Sequence, residues 1–170
     1  DLLTPLGADS LLAWCHYAVA RVHVARKLWD QATETYEIAL GLALKGGALR
    51  THAEVLNGLG KLHASMGDYA AATRHLEQAL HLCEEARVGS QHYRTNETLA
   101  DVHERFGNHE QALRHFKAFH RTRAAVYAPA REKHILSRLL KANGGPLDAE
   151  RIRPIFREII AACLSLEQPL

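Results

Sequence analysis

The chain repeats itself every 40 residues, and that period constrains its fold more than any other feature. Val19-Ala20, Leu59-Gly60 and Leu99-Ala100 fall at one phase, and His23, His63 and His103 at another. Ala32, Ala72 and Ala112 follow, then Tyr36, Leu76 and Phe116, then Ala39, Ala79 and Phe119. The breaks keep step as well: Lys27-Leu28-Trp29 lies over Gly67-Asp68-Tyr69 and Gly107-Asn108-His109. Within the second unit the apolar positions step by three and four through Val55, Leu56, Leu59, Leu62 and Met66. They do so again beyond the Gly67-Asp68 break, through Tyr69, Ala72, Leu76, Ala79, Leu80 and Cys83. Each unit therefore predicts an amphipathic helix, a tight turn and a second amphipathic helix. The small residues let paired helices approach closely, and Gly67 and Gly107 suit the left-handed conformation that ends a helix.

The spacing predicts eight helices, over about 9–27, 29–45, 48–66, 69–86, 90–106, 109–127, 130–143 and 148–166. Ala128-Pro129 separates the sixth from the seventh, because proline suits a helix start and disfavours helix in the residue before it. The last pair lacks most of the small-residue pattern. Its second helix is apolar on one side, through Ile152, Ile155, Phe156, Ile159, Ile160, Cys163 and Leu164, with Pro154 near its start. Residues 1–128 thus form three hairpins and residues 129–170 a divergent terminal pair, in one continuous domain. The terminal pair serves as a cap, since an ordinary last repeat would leave an apolar face in water.

The repeat resembles the tetratricopeptide motif. The second unit carries Leu56, Leu59-Gly60, Gly67-Asp68-Tyr69, Ala72, Leu76 and Ala79-Leu80. The third carries Leu99-Ala100, Gly107-Asn108-His109, Ala112, Phe116 and Phe119, and the first Val19-Ala20, Trp29, Ala32, Tyr36 and Ala39-Leu40. The usual repeat is ~34 residues, so these 40-residue units are similar to the extended repeats of bacterial signalling regulators. The resemblance implies an all-α, right-handed solenoid whose first helices line a concave groove. It implies a non-catalytic scaffold or regulatory module that binds a protein, a peptide segment or another domain of its own chain. The matching groove positions are Trp14, Tyr17 and Arg21, then Glu54, Asn57 and Lys61, then Arg94, Glu97 and Asp101. Aromatics would anchor side chains, Asn57 would hold backbone amides, and mixed charges would set register. An alternative is a peptide-sensing domain of a larger bacterial regulator.

Charge is unevenly spread. Residues 111–157 hold 11 Lys and Arg against 3 Asp and Glu. A basic patch of Arg114, Lys117, Arg121, Arg123, Arg131, Lys133, Arg138 and Lys141 makes an anionic-surface or nucleic-acid binder a further alternative. Nucleic acid is disfavoured, because the segment has no glycine loop or aromatic sheet motif.

The 12 histidines include no pair three or four residues apart, which argues against a metal site. A row of partly buried imidazoles would instead make stability sensitive to pH. Nucleophile-elbow, phosphate-loop, His-Glu-x-x-His and Cys-x-x-Cys motifs are absent, so neither catalysis nor a cofactor is expected. Three scattered cysteines suit a reducing, cytoplasmic setting. No apolar run reaches the ~20 residues of a membrane span, and no secretory signal opens the chain. The chain lacks an initiator Met and reads as a piece of something longer. The apolar last helix is a candidate homodimer surface.

Overall fold

The computed structural model describes residues 5–145 and 148–166, and of these the side chains of 5, 6, 149 and 161–166 lie outside the description. Seven helices make up the described residues, with no strand among them: α1 Pro5–Ala25, α2 Trp29–Lys45, α3 Leu49–Met66, α4 Tyr69–Glu85, α5 Gly89–Arg105, α6 His109–Ala142 and α7 Ala149–Leu166. They fall into two compact units, Asp1–Thr122 and Arg123–Leu170.

In the first unit each of α1 to α4 packs against the next helix, and α1 also meets α3, as α3 meets α5. That is the repeating contact pattern of an α-solenoid. The turns show a finer period than the sequence does. Lys27, Gly47, Gly67, Arg87 and Gly107 all have positive φ, one every 20 residues. Around each, the next residue's N–H reaches back to the helix end: Leu28 to the His23 carbonyl at 3.0 Å, Ala48 to Ala43 at 2.9 Å, Asp68 to His63 at 2.9 Å, Val88 to Cys83 at 3.0 Å and Asn108 to His103 at 2.8 Å. This is one Schellman closure used five times. The residue after each left-handed position then starts the following helix, and Asp68 also caps it by accepting from the Ala71 N–H at 3.0 Å.

Close approach depends on missing side chains. A Cβ on Gly60 would stand 2.4 Å from Leu76 Cγ, and one on Gly58 would stand 2.7 Å from the Tyr36 ring. One core cluster joins Ala20, Ala32, Tyr36, Ala39, Val55, Leu59 and Leu62, and a second joins Ala64, Ala72, Leu76, Leu99 and Val102. Burial pushes the Tyr36 phenol up to about 12. Tyr93 and Phe119, with ring centroids 6.1 Å apart, continue the packing from α5 to α6.

One expected break is absent. Pro129 does not divide two helices but lies inside α6. A proline here removes one hydrogen bond to the Ala125 carbonyl. Residues 123–127 are exposed, and Ala124, Ala125, Ala128 and Ala130 favour helix on both sides. The predicted eight helices are therefore seven among the described residues.

The second unit holds the end of α6 and α7. Leu136, Ile152 and Ile160 are its buried apolar residues, with Ile135, Leu139, Leu140 and Phe156 half-buried. Asp148 opens α7 by accepting from the Arg151 N–H at 2.9 Å. No helix among the described residues is long and apolar enough to cross a membrane.

Candidate functional site

Six of the nine predicted groove residues meet in one cleft. Tyr17 from α1, Glu54, Asn57 and Lys61 from α3, and Arg94 and Glu97 from α5 line a space of about 300 Å³, together with Gln91. The step of three and four residues puts each set on one helix face. Gln91, unpredicted, lies one turn before Arg94, so the same spacing would have found it. Trp14, Arg21 and Asp101 do not line the cleft. Trp14 and Asp101 are exposed, while the Arg21 guanidinium sits 5.7 Å from the Tyr17 ring centroid.

Several of these groups are already engaged. Gln91 Nε2 donates to Glu54 Oε1 at 2.5 Å, and Arg50 Nε lies 3.6 Å from the same oxygen. Asn57 Nδ2 donates to Thr95 Oγ1 at 3.2 Å, and its Oδ1 accepts from Thr98 Oγ1 at 3.4 Å. Asn57 is therefore a buried strut between α3 and α5. Burial raises the Tyr17 phenol, opposed in part by the Arg21 charge, and a hydrogen bond with Tyr93 raises Arg94.

The predicted basic patch draws on both units. Arg114, Lys117 and Arg121 belong to the first unit; Arg123, Arg131, Lys133, Arg138 and Lys141 belong to the second. All eight are exposed. The second unit adds Arg151, Arg153 and Arg157 on α7, which the sequence reading left outside the patch. An ion pair joins α6 to α7, with Arg157 Nε 3.0 Å from Glu132 Oε1. Arg151 Nε lies 3.9 Å from Asp148 Oδ2 within the α7 start. The unit thus presents a cationic surface over a small apolar core, with one arginine held in place by a carboxylate.

A tetratricopeptide repeat family model matches residues 9–85 and again residues 51–118, well over half of the chain. The chain is a tetratricopeptide repeat protein. A second family model, for chorismate mutase type II, matches residues 97–168 of this repeat protein. That stretch takes in the second half of α5 and all of α6 and α7. Relatives include the bifunctional chorismate mutase/prephenate dehydratase of Stutzerimonas stutzeri, 49% identical over 47 residues, which are 28% of this chain and 13% of that protein. The protein of the same name from Pseudomonas aeruginosa is 50% identical over 44 residues, 26% of this chain and 12% of that protein. That from Neisseria gonorrhoeae is 46% identical over 46 residues, 27% of this chain and 13% of that protein. The tetratricopeptide repeat protein thus spans about an eighth of the length of these relatives. No solved structure matches it.

These likenesses overturn the expectation of a non-catalytic scaffold or regulatory module, and with it the peptide-sensor and anionic-surface alternatives. The repeat fold stands, but the conclusion that no enzyme was present does not. That conclusion rested on missing nucleophile, metal and phosphate motifs. It also treated the terminal pair as a cap, whereas the pair lies within the segment that matches an enzyme family.

Proposed function

We propose that the segment 97–168 of this tetratricopeptide repeat protein contributes a chorismate mutase site, with the cationic helices α6 and α7 as its substrate-binding walls. The observation that carries the reading is the family match over 97–168, which coincides with the arginine-rich stretch of the chain. The chemistry agrees with the residues. Chorismate is a dianion with two carboxylates. Its isomerisation to prephenate breaks one C–O bond and forms one C–C bond within the same molecule, with no group transferred. Such a reaction asks a protein for a fixed substrate conformation and for positive charge near the developing negative oxygen. It needs no nucleophile or metal, which is why a motif search passes over it.

Arg157 is the best-placed candidate, because Glu132 fixes its guanidinium at 3.0 Å and leaves further N–H donors for a carboxylate. Arg138 and Lys141, both exposed on α6, are candidates for the second carboxylate. A cytoplasmic setting belongs to the same reading, supported by the free thiols of Cys15 and Cys83. The test is direct. The purified chain is incubated with chorismate, and substrate loss and prephenate formation are followed. Turnover above the uncatalysed rate, lost in Arg157→Ala with the helix content unchanged, supports the site. Turnover equal to the uncatalysed rate overturns it.

A further inference from the structure

Among the described residues two faces of the first unit are exposed, and they are the two halves of a junction the unit already makes twice. On α3, Val55, Leu59 and Leu62 are 0%, 3% and 0% exposed, and they share a core cluster with Tyr36 and Ala39 of α2, against which Leu40 packs. On α5, Leu99 and Val102 are 0% and 4% exposed and share a cluster with Leu76 of α4, against which Leu80 packs.

Forty residues before Val55, Leu59 and Leu62 stand Cys15, Val19 and Val22 of α1. Cys15 is exposed, and Val19 and Val22 are 47% and 49% exposed, with Leu11 and Leu12 extending the strip. Forty residues after Leu76 and Leu80 stand Phe116 and His120 of α6. Phe116 is 50% exposed, Leu113 lies one turn before it and is exposed too, and the exposed His120 ring sits 4.5 Å from that of Phe116.

We propose that a second copy of this chain completes the junction head to tail. The α1 face of one copy takes the place beside α6 of the other that α3 takes beside α2 and α5 beside α4. Continuity with the internal interface selects this occupant: the spacing of both open faces, and the apolar character of Cys15, Val19, Val22 and Phe116, are those of junctions present inside the same chain, with His120 in place of Leu40 and Leu80. Such a contact is heterologous, so it adds copies in a row instead of closing on a two-fold axis.

Sedimentation or light scattering of the full chain over a range of concentrations tests this. The weight-average mass should climb above 18.9 kDa as concentration rises. Val19→Glu and Phe116→Glu each place a charge on one open face, and each alone should stay monomeric with unchanged circular dichroism. Mixed in equal amounts they should restore a species of twice the monomer mass that grows no further, because one intact α1 face then meets one intact α6 face. A wild-type chain monomeric at every concentration overturns the proposal. So does an association that the mixture fails to restore, which means like faces pair. Association that survives both variants and disappears in Ile159→Glu assigns it to α7 and also overturns the proposal.

Discussion

The imidazoles of His103 and His115 lie face to face, with ring centroids 5.3 Å apart and planes 6° from parallel. His63 and His75 make the same pair one repeat earlier, at 5.2 Å and 21°. In the first repeat the second position is Thr35, whose hydroxyl lies 3.2 Å from His23 Nδ1. The hydrogen bonds set which nitrogen carries a proton. Asn108 Nδ2 donates to the Tyr69 hydroxyl at 2.6 Å, leaving that hydroxyl to donate to His103 Nδ1 at 2.8 Å. His115 Nδ1–H donates to Asn96 Oδ1 at 3.0 Å.

Two stacked rings cannot both take a proton cheaply. Burial, then the neighbouring His103 and Arg114, pushes His115 down to about 4. Burial lowers His103 as well, opposed by Glu77, and lowers His75. The folded state therefore binds fewer protons than the unfolded chain below the ordinary histidine value of ~6.5. Stability is full above that pH and declines as pH falls from 6.5 toward 4. Thermal melts at pH 7.5 and 5.0 should show a lower midpoint at 5.0, and His115→Gln should shrink the difference. Equal midpoints at the two pH values would exclude the effect.

The left-handed turn residues predict unequal responses to one substitution. Lys27 and Arg87 adopt φ of 58° and 53° with a Cβ in place. A left-handed backbone costs a side-chain-bearing residue ~1–2 kcal/mol, offset in part by the entropy that glycine loses on folding. Lys27→Gly and Arg87→Gly should each stabilise the chain by ~0.5–1 kcal/mol in urea unfolding. Gly67→Ala, at φ of 86°, should destabilise it by ~1 kcal/mol.

Gly60 and Leu76 should behave as a coupled pair. The alanine methyl of Gly60→Ala would stand 2.4 Å from Leu76 Cγ and 3.2 Å from the Ala72 carbonyl oxygen. Overpacking of this kind costs ~1–3 kcal/mol, and Leu76→Ala alone costs ~2–5 kcal/mol through the cavity it leaves. In the double variant the new methyl enters the vacated space, so the loss should be smaller than the sum of the two. Strict additivity would mean that the helices separate when alanine is introduced.

Glu132→Gln separates binding geometry from stability. The pair with Arg157 is partly exposed, so its loss should change stability by less than ~1 kcal/mol. If Glu132 positions the guanidinium for chorismate, kcat/KM should fall by about tenfold or more while the melting midpoint stays put. An unchanged kcat/KM would remove Glu132 from the site.

The fold was legible because a 40-residue period and a run of small residues leave few ways to pack helices. The finer 20-residue stride was hidden, since Lys27 and Arg87 occupy turn positions that chemistry assigns to glycine. Pro129 misled for the opposite reason: a proline is a strong local signal, but on an exposed, alanine-rich stretch its missing hydrogen bond costs too little to break α6. The cleft was largely legible, because helical spacing alone gathers Glu54, Asn57 and Lys61, and also Arg94 and Glu97. That Asn57 is tied to Thr95 and Thr98 was not, since both bonds cross to α5 from 38 and 41 residues away. The catalytic likeness was invisible to motif logic, because a unimolecular rearrangement leaves no nucleophile or metal spacing to read. The trace it left was the excess of arginine, and that was read as a basic patch for an anionic surface or nucleic acid.

Five turns closed alike at equal intervals make the first unit modular along its length. Removing one whole hairpin, residues 48–87, would bring Gly47 directly before Val88, the residue that already follows a left-handed position and opens α5. The seam would look like any other bend in the chain, and α5 would meet on α2 the kind of apolar face it meets on α4. Cuts that are not whole multiples of the stride would rotate every later helix out of its seat. Lineages of such a protein should therefore differ in length by complete hairpins far more readily than by a few residues within one.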